Sequence, residues 1–167
     1  GAQQVRSFRL GVIRLADRFG RSDPLSAQHE RRMARHVSRE LGDYVHGLAR
    51  TGFDRVIGTS GTILSVGALA LGNNVATPGD SSLHHRRVSA KAIRRVRRDL
   101  MAMTLDERLK VPGLDPRRAD LIVPGIVLLD VILRHLGAED LTLCELALRE
   151  AVVLDYIRGN RLEMTKE

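Results

Sequence analysis

Phe53-Asp54-Arg55-Val56-Ile57-Gly58-Thr59-Ser60-Gly61-Thr62-Ile63 is the stretch on which the fold turns. Phe53 to Ile57 is a short apolar run with β-branched residues, which predicts a buried strand near 54–57. Two glycines and three hydroxyl residues then break the run. Beyond them Ile63, Leu64, Val66, Ala68, Leu69 and Ala70 fall at helical spacing until Gly72-Asn73-Asn74. A strand, a glycine turn and a helix in that order leave the first amides of the helix without partners and aimed at the turn. The glycines allow close approach, and the hydroxyls of Thr59, Ser60 and Thr62 add donors. Gly58, Thr59, Ser60, Gly61 and Thr62 are therefore the candidate phosphate-binding residues. No lysine follows the second glycine and the four-residue interval between glycines is missing, so the loop is not of the Walker type. Taken bare, the same pattern also serves as a purely structural turn.

Upstream, Val5-Arg6-Ser7-Phe8-Arg9-Leu10 alternates apolar with polar residues and reads as a strand over 5–10 whose sheet neighbours lie upstream. Val12, Leu15, Ala16 and Phe19 predict a short helix. Asp23 or Ser26 can cap the next helix, with Pro24 suited to its first turn. Met33, Val37, Leu41, Val45 and Leu48 are its buried stripe, Gly52 ends it in a left-handed conformation, and Arg31, Arg32, Arg35, Arg39 and Glu40 face solvent.

Downstream, residues 73–88 read as loop, with an edge strand over Leu83 to Val88. Ser89 caps a helix that buries Ile93, Val96 and Leu100 and turns Arg94, Arg95, Arg97 and Arg98 outward. Thr104 and Glu107 have the spacing of a capping box for a short helix to Lys110. Asp115-Pro116 opens an apolar helix that Pro124-Gly125 kinks or splits, with its stop at Gly137. Leu141 to Cys144 predicts a last strand, and Leu148, Val152, Tyr156 and Ile157 a final helix.

The 167 residues, 43% of them hydrophobic, suit one globular unit. The most apolar stretch, Leu121 to Leu136, is interrupted by Pro124, Gly125, Asp130, Arg134 and His135, so no membrane span is expected. The opening residues lack the apolar centre of a secretory signal. The single cysteine, Cys144, excludes an internal disulfide and reads as a small buried hydrophobe; the expected compartment is the cytoplasm. A net charge of +7 suits a polyanion. With aromatics at 3% and no Trp, the stacking platforms of single-strand binders are scarce, so phosphate is favoured over nucleic acid.

The 53–63 segment resembles the second phosphate loop of the exopolyphosphatase / guanosine pentaphosphate phosphohydrolase family. Leu10-Gly11-Val12-Ile13-Arg14-Leu15 with Asp17-Arg18-Phe19, Glu107-Arg108, Pro112-Gly113-Leu114-Asp115, Arg118-Ala119-Asp120-Leu121-Ile122-Val123-Pro124-Gly125 and Leu148-Arg149-Glu150 look like further family segments, in matching order across residues 5–158. Ala151 stands where the family usually has glycine. The resemblance implies an α/β (α+β) ribonuclease-H-like domain of the actin, Hsp70 and sugar-kinase superfamily. Its expected sheet is small and mixed, from strands near 5–10, 54–57 and 141–144, and 159–167 is a polar tail.

By the same resemblance, the chain is the second domain of an enzyme that removes terminal phosphate from inorganic polyphosphate or guanosine pentaphosphate. The catalytic carboxylate and most of the Mg²⁺ ligation would lie in an upstream domain of the same protein, so no catalytic or metal-binding residue is assigned here. Homodimerisation is left open. Arg118 is a candidate substrate contact. Asp17 and Glu150 are not assigned as general bases, Arg14 is read either as a phosphate contact like Arg118 or as pairing with an acid merely to fix the first helix, and His84-His85 is read as surface loop. Two other function classes compete: a non-catalytic alarmone or polyphosphate sensor, and a basic nucleic-acid-binding module.

Overall fold

The computed structural model describes residues 5–72 and 83–146, together with Val153 and Tyr156. The expected final helix and the Leu148-Arg149-Glu150 motif otherwise lie outside the described residues; Val153 and Tyr156 are helical and exposed.

Helices α1 (Val12–Phe19), α2 (Ala27–Thr51), α3 (Gly61–Leu71), α4 (Ala90–Ala102), α5 (Leu105–Arg108) and α6 (Ile122–Leu136) surround a sheet of β1 (Ile57–Thr59), β2 (Arg87–Ser89) and β3 (Asp140–Cys144). The sheet order is β1-β3-β2. β1 runs parallel to β3 with Gly58 opposite Leu143, and β2 runs antiparallel to it with Val88 opposite Leu141. This is the expected small mixed sheet with packed helices.

α6 is the centre of the core. Nearly every residue from Ile122 to Leu133 is buried, because α1, α2, α3 and α4 all pack around it. A helix apolar on every side can be stable in water only if it is enclosed in this way. Met33, Val37, Leu41 and Val45 are the buried stripe of α2, as its spacing predicts. Three N-caps are as expected: Ser26 on α2, Ser89 on α4 and Thr104 on α5, the last with both halves of its capping box formed.

Several expectations need correction. Residues 5–10 are not a strand. Phe8 packs at a tilt against Tyr44 of α2, 5.7 Å between centroids, and the Arg6 guanidinium covers both rings. Alternation reports that one side is covered, and here the cover is a helix rather than a sheet. The strand expected at 54–57 is β1 at 57–59, with Ile57 60% exposed at the sheet edge. The edge strand expected over 83–88 forms only at 87–89. Asp23 does not cap α2; its Oδ2 accepts from the Leu105 amide at 2.6 Å, at the start of α5. Gly52 has positive φ, 84°, but an extended ψ of 158°, outside the left-handed helical region.

Residue Asp115 caps only a 3₁₀ turn, Pro116–Arg118, and α6 begins afresh at Ile122. That start puts Pro124 in the first turn, where its missing N–H costs no helical bond. Arg97 does not face outward like Arg94, Arg95 and Arg98. It pairs with Glu30 of α2 and, at 2.8 Å, with Asp130 of α6, which is 1% exposed.

Candidate functional site

The turn between β1 and α3 carries a backbone feature that the sequence does not announce. Ser60 has φ 147° and ψ 158°, a region almost reserved for glycine, at a cost of about 1–3 kcal/mol. The surroundings fix it there. Ser60 is the N-cap of α3, its Oγ accepting from the Ile63 amide at 3.3 Å and its carbonyl from the Leu64 amide at 3.0 Å. The Thr59 hydroxyl donates to the Leu146 carbonyl at 2.9 Å, tying the turn to the chain beyond β3. Thr59 is thus an anchor of the loop more than a spare donor. Gly58 is buried, with an added Cβ placed 2.9 Å from Ile63 Cγ2 and 3.0 Å from Leu141 Cδ1. The amides of Gly61 and Thr62, at the first two positions of α3, have no acceptor within the helix.

Against this helix start lies Arg118. A Cβ at Gly61 would fall inside its guanidinium group, so the cation rests directly on the Gly61 backbone. Sequence reasoning names both partners separately and cannot see that they meet, 57 positions apart in the chain. The start of α6 joins them: a Cβ at Gly125 would collide with the γ-methyl of Thr62, so only glycine lets the first turns of α3 and α6 touch. α6 has no side-chain cap at its N-terminus. Two helix N-termini and one guanidinium therefore converge.

That convergence is electrostatically unfavourable as it stands. A helix N-terminus carries partial positive charge, and a cation beside it costs rather than gains a few tenths of a kcal/mol or more. Among the described residues the carboxylate paired with Arg118 is that of Asp115, with Oδ2 3.6 Å from Nε. Asp115 is already held in a two-pronged bond by Arg117, at 3.1 and 3.0 Å, and these bonds with the Arg117 amide keep its carboxyl below the ordinary 3.8. An anion seated at Gly61 and Thr62 would satisfy the amides and Arg118 together.

The remaining residues singled out in the sequence lie elsewhere. Asp17 lines a separate cavity of about 540 Å³ with Asp23, Arg108, Asp120 and the apolar side chains of Ile13, Leu105, Leu121 and Pro124. Arg14 is exposed and takes part in none of the ion pairs found among the described residues, so the pairing alternative finds no partner among them. The His84 and His85 rings stack at 3.9 Å, and His84 Nδ1 accepts from the Glu145 amide at 3.3 Å, which closes the turn before β2 onto β3. Cys144 is half-buried rather than buried. Glu150 lies outside the described residues. Among the described residues no three His, Cys, Asp or Glu side chains gather as a metal centre would require. No helix among them is long and apolar enough to cross a membrane.

Comparison with known proteins supplies the family. The model of the Ppx/GppA phosphatase family matches residues 2–159. An uncharacterized protein of Streptomyces coelicolor is 30% identical over 156 residues, covering 92% of this chain and 45% of that protein. Exopolyphosphatase 2 of Mycobacterium tuberculosis is 29% identical over 154 residues, covering 87% of this chain and 46% of its own. The Ppx/GppA crystal structure from Aquifex aeolicus superposes with a TM-score of 0.83 at 22% identity, over 96% of this chain and 50% of that one. An exopolyphosphatase structure from Cytophaga hutchinsonii gives 0.79 at 25% identity, over 92% and 49%. The chain thus spans about half the length of the relatives it matches, and it belongs to the Ppx/GppA phosphatase family.

Proposed function

We propose that this chain is the phosphate-gripping half of a phosphohydrolase that removes terminal phosphate from inorganic polyphosphate or guanosine pentaphosphate. The grip consists of Gly58, Thr59, Ser60, Gly61 and Thr62, with Arg118 over it. The observation that carries this reading is the Arg118 guanidinium packed on Gly61 at the start of α3, a cation at the positive end of a helix. Bound phosphate would accept from the Gly61 and Thr62 amides and the Ser60 hydroxyl while pairing with Arg118. The same donors would stabilise charge gathering on the transferred phosphoryl group. The water-activating carboxylate would come from the half of the relatives that this chain does not span, and Mg²⁺, where it takes part, would be held mainly there.

The test is a titration of the chain with tripolyphosphate and with guanosine pentaphosphate, followed by backbone amide NMR. Saturable shifts centred on residues 58–62 and abolished in Gly61→Val are expected, and the tighter ligand indicates the substrate. Shifts spread over the exposed arginines of α2 and α4 and indifferent to Gly61→Val would leave the loop as a turn and the charge as the binder.

A further inference from the structure

Holding a cation against a helix N-terminus poses a mechanical problem. Arg118 gains nothing electrostatically from Gly61 until an anion arrives, and as a half-exposed side chain it has every reason to swing into solvent. Something has to fix the backbone from which it springs. Its turn is short: the Arg118 amide donates to the Asp115 carbonyl at 2.8 Å, and the Leu121 amide to the Arg118 carbonyl at 3.1 Å. Neither bond ties the turn to the rest of the molecule.

The tie is Arg108. The residue is 6% exposed, and its fork reaches three separate segments. Nε donates to the Ala119 carbonyl at 3.0 Å, Nη1 to the Met103 carbonyl at 2.7 Å, and Nη2 to Asp23 Oδ1 at 2.9 Å. Asp23 in turn accepts the Leu105 amide at the start of α5. The guanidinium therefore clamps the residue directly after Arg118 to α5 and to the loop before α2. Ala119 is fully buried beneath it. Burying a cation this deeply is costly unless every bond is made, and one arm of the fork goes to the very turn that aims Arg118.

We propose that Arg108 is a positioning residue for the phosphate grip: by holding the Ala119 carbonyl it fixes the 116–121 turn and so keeps the Arg118 guanidinium on Gly61. This rests on the reading of residues 58–62 as a phosphate site. Lysine at position 108 would keep the charge but lose the fork, so the turn is released without leaving an unpaired Asp23.

The test uses the intact chain, with tripolyphosphate as the probe. Arg118→Ala provides the reference, because removing the guanidinium shifts the Gly61 and Thr62 amide resonances of the free protein. Arg108→Lys is expected to move the same resonances in the same direction and to weaken tripolyphosphate roughly tenfold. In the Arg118→Ala background it should change neither. A merely structural arginine would lower the melting temperature in both backgrounds without moving the Gly61 and Thr62 resonances. Two outcomes overturn the proposal: Gly61 and Thr62 resonances unmoved by Arg108→Lys, or an equal loss of affinity with and without Arg118. If the wild-type loop does not bind tripolyphosphate, the phosphate reading falls, and the free-state Gly61 resonance still decides the role of Arg108. Should Arg108→Lys fail to fold, Asp23→Asn loosens the guanidinium from its more exposed side and carries the same comparison.

Discussion

At the scale of single residues, Gly61 separates holding the fold from the proposed holding of phosphate. It is not a glycine of necessity by dihedral angle; it is one because Arg118 lies where a side chain would be. The obstructing atoms are the far end of a flexible side chain, so a methyl group there displaces the guanidinium more readily than the backbone. Gly61→Ala is therefore expected to leave the melting temperature nearly unchanged and to reduce tripolyphosphate affinity by about tenfold, measured by calorimetric titration. Gly125 is the opposite case, since the γ-methyl of Thr62 is part of a packed helix contact with little room to retreat. Ser60 adds a third kind of constraint. Its strained backbone is supported by the cap it makes on α3 and by the bond between Thr59 and Leu146, which is how strain persists at a site.

Among the elements, the helices are joined by polar contacts that hydrophobic patterning does not predict. Arg97 of α4 binds Glu30 of α2 and Asp130 of α6, while Arg134 approaches the same Asp130 oxygen at 3.3 Å. Asp130 is almost wholly buried, so truncating it removes the partner that Arg97 and Arg134 share and leaves Arg97 with Glu30 alone. Asp130→Ala should cost about 1–3 kcal/mol in urea-induced unfolding. A second seam joins α2 to the end of α6: His135 Nδ1 lies 3.0 Å from His46 Nε2, and its Nε2 lies 2.9 Å from Ser38 Oγ. Burial first, then the neighbouring His46 and Arg134, push the His135 pKa below the ordinary 6.5. A base depressed in the folded state binds fewer protons than in the unfolded state, so stability rises with pH. The contribution is complete above 6.5 and is lost as pH falls below it. The urea midpoint should therefore drop between about pH 7.5 and about pH 5.5, and His135→Gln should flatten that dependence.

On the scale of the whole molecule, the proposed grip has no water-activating group assigned to it within this chain. Alone, it is expected to bind tripolyphosphate and release no orthophosphate above the uncatalysed rate in a phosphate-release assay. Loop-dependent release would put the missing carboxylate within this chain. Much of the architecture was legible in the order of residues. Helical spacing located α1, α2, α3 and α4, and Ser26, Ser89, Thr104 and Gly137 marked helix ends because a cap is satisfied by its own neighbours. The Gly58 to Thr62 segment announced a turn between strand and helix for the same reason: its chemistry is local. What the sequence could not decide was everything that depends on a distant partner. Val5 to Leu10 alternates like a strand, yet Val5 is exposed and Phe8 turns onto Tyr44 of α2 rather than onto a sheet. Arg97 looks solvated, yet Asp130 waits in the core. Gly61 and Arg118, distant in the chain, meet beside the contact that Gly125 of α6 makes with Thr62 of α3. Capping and periodicity act over a few residues and can be read along the chain, whereas burial and charge pairing are set by segments far apart in sequence, and only the closed core brings those together.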